Sequence, residues 1–208
     1  MSKLNTDPRA IAFDFGNVLV HWEPFLALQA HFADHDEMET CLAQIGFYDW
    51  NLEQDRGRSW QEGLIIATNE HPNHRHIFEA YHQNLHRTVS RAIPGMRELV
   101  RSLHGQGFAL FGLTNAPFGA VDHIRQTVPE LDLMRDIIVS ADEGIVKPNP
   151  EIYQVLLHRS GLEASDVLFI DDNEENCAAA QRLGMSAVQF KGPGKLRLNS
   201  QIKSLLWN

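Results

Sequence analysis

Three short apolar runs in this chain each stop at a residue able to carry chemistry. Ile11, Ala12 and Phe13 lead into Asp14, Phe108 to Leu113 lead into Thr114, and Val167 to Ile170 lead into Asp171 and Asp172. None of the runs alternates with polar residues, as expected of strands covered on both faces. Stretches with helical periodicity separate them. Met96 opens a segment that runs to Gln106 and stops at Gly107. Pro150 opens one that carries Ile152, Val155, Leu156 and Leu157 and stops at Gly161. Strands alternating with helices imply right-handed crossovers and a parallel sheet. The expected strands are residues 10–15, 108–113, 137–140, 167–170 and 187–190, with a further helix over about 174–183. The fold class is therefore α/β, a Rossmann-like parallel sheet flanked by helices. Such a sheet brings the ends of its strands to one rim, where ligands bind.

The segment from Pro24 to about Leu85 breaks this alternation and has no strand signal. Pro24 suits a first helical turn, with Phe25, Leu26, Leu28 and Phe32 on or near one face. Asp36 is placed to cap a second helix through Ile45, ending near Gly46. Ser59 and Glu62 form a capping-box pattern for a third, and Asn73 stands before a fourth. About four helices, a small all-helical cap, are thus expected to be inserted after the first strand. The division is 1–20 and 88–208 for the core and 21–87 for the cap. Residues 48–57 are the least regular part of the cap, and a short tail over 196–207 follows a linker that begins at Lys191.

Composition narrows the partners. The chain has 208 residues and a net charge of −9, so no overall basic field draws in nucleic acid. No apolar run approaches bilayer length, and the first residues lack the apolar stretch of a signal peptide. Cys41 and Cys177 follow no metal or redox spacing, which suits two reduced thiols in a cytoplasmic protein. His71, His74, His76, His82 and His86 crowd one segment, and His82 and His86 are one helical turn apart. No acid or Cys completes a zinc site there.

Each polar residue at the rim has an ordinary explanation when taken alone. Alone, Asp14 reads as a cap of the turn at Gly16 and Asn17, and Lys147 as a solvated side chain. Thr114 and Asn115 read alone as side-chain turns, although a short hydroxyl and a free N–H also suit a bound phosphate oxygen. Asp171 and Asp172 alone read as acids enriching a helix N-terminus. Together these residues place three carboxylates, a hydroxyl and an ammonium on one rim, where the acids would repel one another without a cation. Mg²⁺ takes hard oxygen ligands and needs only one or two carboxylates, so the set points to a Mg²⁺ site for phosphoryl transfer. Asp14 would be the nucleophile, with donors from the Gly16–Asn17 turn near the phosphoryl oxygens. Lys147, flanked by Pro148, would offset charge. Arg56 would either meet a polar or anionic substrate or lie on the surface with its stem on Trp50.

In order, the segments Phe13-Asp14-Phe15-Gly16-Asn17-Val18, Leu113-Thr114-Asn115, Lys147-Pro148-Asn149-Pro150-Glu151-Ile152-Tyr153 and Phe169-Ile170-Asp171-Asp172-Asn173 resemble the four motifs of the haloacid dehalogenase-like (HAD) hydrolase superfamily. The likeness spans residues 9–190 and is to the phosphatase branch with a small helical cap. It is similar to bacterial sugar-phosphate phosphatases, the alpha-D-glucose-1-phosphate phosphatases among them. The resemblance implies that Asp14 forms an aspartyl-phosphate and that Thr114 and Lys147 bind the phosphoryl group. It also implies that Mg²⁺ is held by Asp14, the Gly16 carbonyl and Asp172, with Asp171 close by. The implied substrate is a small phosphorylated metabolite such as a sugar phosphate, and the implied assembly a monomer or dimer.

One departure stands out. Most phosphatases of this family carry a second Asp two residues after the nucleophile as general acid and base, and here that place is Gly16. A cap residue or water would supply the proton, or the leaving group would need little help, or activity would be low. His21 and Glu23 are candidate substitutes. Two other functions stay open on the same residues: a metal-independent 2-haloacid dehalogenase, and a catalytically weak protein that binds a phosphorylated metabolite.

Overall fold

The computed structural model describes residues 8–192. Five parallel strands form one sheet: β1 (Ala10–Phe13), β2 (Ala109–Thr114), β3 (Asp136–Val139), β4 (Val167–Asp171) and β5 (Ser186–Gln189). Their order is β3-β2-β1-β4-β5. Ala10 lies opposite Ala109 on one side and Val167 on the other, and Phe13 opposite Gly112 and Ile170. The chain thus winds outward from β1 in both directions, and the reversal falls between β1 and β4, where an open sheet leaves a crevice.

The central strand is buried on both faces because it has no polar residue to expose. Ile11 and Phe13 join Leu110, Leu168 and Ile170 on one face, packed by Met96, Val100 and Leu103 of α7 (Met96–Gly105). Ala10 and Ala12 join Phe111 and Phe169 on the other. That face is packed by Ile152, Tyr153 and Leu156 of α10 (Pro150–Ser160) and by Ala179 and Ala180 of α11 (Glu174–Arg182). The strands fall within a residue or two of their expected places. Strand β1 is shorter, however, because after Phe13 the backbone turns sharply. The N–H groups of Val18, Leu19 and Val20 all point at the Phe15 carbonyl, at 3.2, 2.8 and 3.0 Å.

Between β1 and α7 the described chain is helical. It holds α1 (Pro24–Leu28), α2 (His35–Gln44), α3 (Phe47–Asp55), α4 (Trp60–Glu70), α5 (Arg75–Gln83) and α6 (Leu85–Thr88). Three expectations need correction. Asp34, not Asp36, caps α2 by accepting the Glu37 N–H at 2.9 Å. Asn73 lies in a short 3₁₀ turn and gives α5 no side-chain cap. The irregular stretch expected over 48–57 is for the most part the regular helix α3. Its buried positions, Phe47, Trp50, Asn51 and Gln54, follow helical spacing, but two of the four are polar and hide the pattern. Ser59 does cap α4, accepting the Glu62 N–H at 3.2 Å. In the crossover from β2 to β3 lie α8 (Ala120–Thr127) and a 3₁₀ turn, and α9 (Ser140–Glu143) follows β3. Residues 193–208, with the expected tail, lie outside the described residues. No helix among the described residues is long and apolar enough to cross a membrane.

The helical layer has its own core of Leu28, Met38, Leu42, Phe47, Phe78 and Tyr81, which reaches Ala116 and Ala120 beyond the end of β2. Polar contacts pin the two layers together at the same level. The Ser140 hydroxyl donates to the Asp55 carbonyl at 2.5 Å and accepts the Ala116 N–H at 3.0 Å. Gly57 (φ 97°) sits so close to this joint that a Cβ there would lie 2.6 Å from the Ala141 carbonyl oxygen.

Candidate active site

Lys147 organises the rim. Its ammonium lies 2.9 Å from Asp14 Oδ1 and 2.7 Å from Asp171 Oδ2, and it stands 5.4 Å above the Phe169 ring. Lys147 is 3% exposed and Asp171 0%. A buried charge is tolerated only when paired and hydrogen-bonded. Burial alone lowers the Lys147 ammonium, but Asp14 and Asp171 overcome that and raise it, so it stays charged. The backbone of Lys147 is fixed by Asn115, whose side chain accepts the Lys147 N–H at 2.8 Å and donates to its carbonyl at 3.0 Å. Asn115 therefore positions Lys147. Both ends of its amide are occupied, so the expected donor to a phosphate oxygen is its backbone N–H, and Asn115 does line the cavity.

Asp171 is just as fully engaged. Besides Lys147 it accepts the Asn173 N–H at 2.8 Å and the Asn176 amide at 3.1 Å on each oxygen. Asn173 in turn caps α11. The strand end, the helix start and the ammonium are thus bound into one network.

Asp14 differs. Its N–H continues the β4 pairing to the Ile170 carbonyl at 2.9 Å, and one carboxylate oxygen accepts the Phe15 N–H at 2.7 Å. Burial pushes this carboxyl up to about 7, Lys147 pulls it down, and Asp171 adds to the rise. Asp172, half-buried, is raised by burial and by Asp171 and lowered by a hydrogen bond to Asn17. Asn17 has φ 54°, a left-handed conformation that Asn tolerates better than most residues.

Asp14, Asp171 and Asp172 each offer a carboxylate oxygen within 4.8 Å of the others. Like charges at this spacing need a cation, and an all-oxygen donor set suits a hard divalent ion. With Asp171 consumed by Lys147 and Asn176, Asp14 and Asp172 have the freer oxygens, and Gly16 lies beside them on the cavity wall. Among the described residues the histidines form no comparable group. His82 instead stacks on Trp60 at 4.4 Å.

In front of these acids is a cavity of about 290 Å³. Asp14, Asn17, Thr114, Asn115 and Asp172 line its floor, and Trp22, Asn51, Asp55, Tyr81 and Leu85 line the opposite side. A Cβ at Gly16 would meet nothing closer than Trp22 Cβ at 3.8 Å, so this wall has space where a side chain is missing. Arg56 is not brought to the cavity. It is exposed and pairs with Glu53 at 3.2 Å. Its neighbour Asp55 takes the inward position, which sequence reasoning missed. His21 and Glu23 do not line the cavity either: Glu23 pairs with Arg91, and His21 borders a separate depression.

Fold and rim together describe a parallel α/β core whose rim carries three acids and one buried lysine. A family model for haloacid dehalogenase-like hydrolases matches residues 8–184, and the chain belongs to that family. Among its relatives is the sesquiterpene phosphatase astK of Aspergillus oryzae, 32% identical over 177 residues, covering 85% of this chain and 87% of the relative. Another is the phosphoglycolate phosphatase of Mannheimia succiniciproducens, 26% identical over 194 residues, with 89% and 86% covered. Neither is a glucose-1-phosphate phosphatase. The fold is shared with a HAD family enzyme of Bacteroides thetaiotaomicron solved as a magnesium complex (TM-score 0.72, 18% identity, 90% of this chain and 96% of that one).

Proposed function

We propose that this hydrolase is a Mg²⁺-dependent phosphatase acting on a small phosphomonoester through an aspartyl-phosphate at Asp14. The observation that carries the reading is the bridge from Lys147 to Asp14 at 2.9 Å and Asp171 at 2.7 Å, set beside a third acid, Asp172. Lys147 holds Asp14 in place and keeps a positive charge next to the transferring phosphoryl group. Asp14 attacks phosphorus with the carboxylate oxygen directed at the cavity. Thr114 and the Asn17 turn offer donors to the phosphoryl oxygens. Bound through Asp14, the Gly16 carbonyl and Asp172, Mg²⁺ would neutralise charge on the phosphate and orient it. Residues 21–87 act as the cap that closes over the leaving group.

Support for a phosphatase comes also from the named activities of astK and the phosphoglycolate phosphatase. The cap wall mixes Asn51 and Tyr81 with Trp22 and Leu85, which suits a leaving group that has both hydroxyl and apolar surfaces, such as a sugar. The test is a panel of sugar phosphates, other small phosphomonoesters and nucleotides assayed with Mg²⁺, with Asp14→Asn as the blank. Phosphate release that needs Mg²⁺ and disappears in the variant is expected. Chloride release from a 2-haloacid in EDTA would overturn the reading in favour of a dehalogenase.

A further inference from the structure

We infer that Asp55, delivered by the cap, is the acid that protonates the leaving oxygen and then the base that activates water. The inference rests on the phosphatase reading and names the proton carrier it lacks. An alkoxide leaves phosphorus poorly unless a proton reaches it, and Gly16 has no side chain to carry one. Four titratable side chains line the cavity: Asp14, Asp55, Tyr81 and Asp172. Asp14 is bound to Lys147 and the Phe15 N–H, and Asp172 belongs to the acid trio. Tyr81 is hydrogen-bonded to Trp22, and burial drives its hydroxyl far up. Asp55 is different. Its Oδ1 is buried without any hydrogen-bond partner, and its other oxygen has only the Asn51 amide at 3.4 Å. A buried polar atom without a partner is rare and calls for a ligand.

The position of Asp55 is also fixed. It ends α3, its carbonyl is held by Ser140 at 2.5 Å, and the tight turn at Gly57 follows. A cap residue is thereby anchored to the core beside the strand ends. Burial pushes its carboxyl up to about 8, with Asp14 adding to the rise and Lys147 opposing it. The facing groups are Asp14, Lys147, Tyr81 and the neutral Asn51.

The step balances. As the Asp14 oxygen bonds to phosphorus, the bond from phosphorus to the leaving oxygen breaks, and the Asp55 proton moves to that oxygen. The Asp55 carboxylate then takes a proton from the water that attacks the aspartyl-phosphate. The bond between Asp14 and phosphorus breaks, inorganic phosphate leaves, and Asp55 is again protonated.

The test compares p-nitrophenyl phosphate, whose leaving group needs no proton, with benzyl phosphate, whose leaving group does. Alcohol or phenol release is followed before the steady state in Mg²⁺ buffer, in wild type and in Asp55→Asn. Benzyl alcohol release should fall by about 10²-fold or more, and the p-nitrophenol burst should change by less than about threefold. Phosphoprotein should accumulate in the variant, seen by intact mass, because its breakdown loses the base. Equal losses on both substrates, or no loss on either, would overturn the assignment. Wild type alone gives a second reading that needs no folded variant. Its burst rates for the two esters should lie within about tenfold, and a far steeper preference for p-nitrophenyl phosphate would contradict an internal acid. If wild type releases neither leaving group and takes up no phosphate on Asp14, the phosphatase reading itself has failed, which is a separate result.

Discussion

On the sheet side of the cavity, the oxygens of Asp171, both ends of the Asn115 amide and the Lys147 ammonium are all engaged by neighbours. On the cap side, Asn51 Oδ1 and Asp55 Oδ1 line the cavity and are buried without partners. Lys147, Asp171 and Asn115 are thus satisfied before any ligand arrives, as expected of groups that must stabilise charge without reorganising, whereas Asp14 and Asp172 keep oxygens for a cation. The cap side holds unmet polar capacity, as expected of a surface completed by substrate. On the proposed reading, phosphoryl chemistry belongs to the first and the choice of leaving group to the second.

The largest expected effect comes from removing the reactive atom on the sheet side. Asp14→Asn should lower turnover by at least about 10³-fold. It should not lower the melting temperature, because burial already disfavours the ionised Asp14 carboxyl. Lys147→Met should abolish turnover and also destabilise the fold, by about 3–5 kcal/mol, since Asp171 would remain fully buried without its cation. Thermal melts of both variants would separate the two roles. A Lys147→Met protein as stable as wild type would break the contrast drawn between the two sides.

A smaller effect tests the packing beneath Asp14. A Cβ at Gly112 would lie 2.5 Å from Phe15 Cζ, so Gly112→Ala must displace the residue that follows Asp14. A loss of about 1–3 kcal/mol in chemical denaturation is expected, with lowered turnover. The pH dependence of the metal-free protein is a further test. Asp14 at about 7 and Asp55 at about 8 both lie above their ordinary unfolded values, so the folded state binds more protons between roughly pH 4 and 8. Their contribution to stability is present below pH 4 and is lost as pH rises through 8. Melting scans should show the fall, Mg²⁺ should reduce it, and Asp55→Asn should remove part of it. The smallest effect belongs to the cap wall. Asn51→Ala should raise KM more than it lowers kcat and shift stability by less than about 1 kcal/mol, since its Oδ1 has no partner to lose and its amide makes only the 3.4 Å contact with Asp55.

The sheet side was legible in the sequence because its chemistry sits where unbroken apolar runs end, and parallel strands give those ends one destination. Asp14, Thr114 and Asp172 could be located from that alone. The cap side was not, because α3 buries Asn51 and Gln54 where a helix normally buries apolar residues, and its periodicity vanished into an apparent loop. The undecided placing of Arg56 has the same origin. With α3 recognised, Asp55 falls one residue past Gln54 at the end of the buried face, and Arg56 falls outside. The polar alternation of Asn51, Gln54 and Asp55 at helical spacing was the available signal. Crossover helix α8 shows a different difficulty: only two of its eight residues, Ala120 and Ile124, are fully buried, too few to mark a period.

The most direct measurement is the site of phosphoryl capture. Protein quenched during turnover of p-nitrophenyl phosphate with Mg²⁺ can be reduced with borohydride, which converts an acyl-phosphate aspartate to homoserine, and mapped by peptide mass. Conversion at Asp14, absent without substrate and absent from Asp14→Asn, is the predicted result. Turnover at an undiminished rate in Asp14→Asn, or conversion at Asp55, Asp171 or Asp172 in place of Asp14, would contradict it.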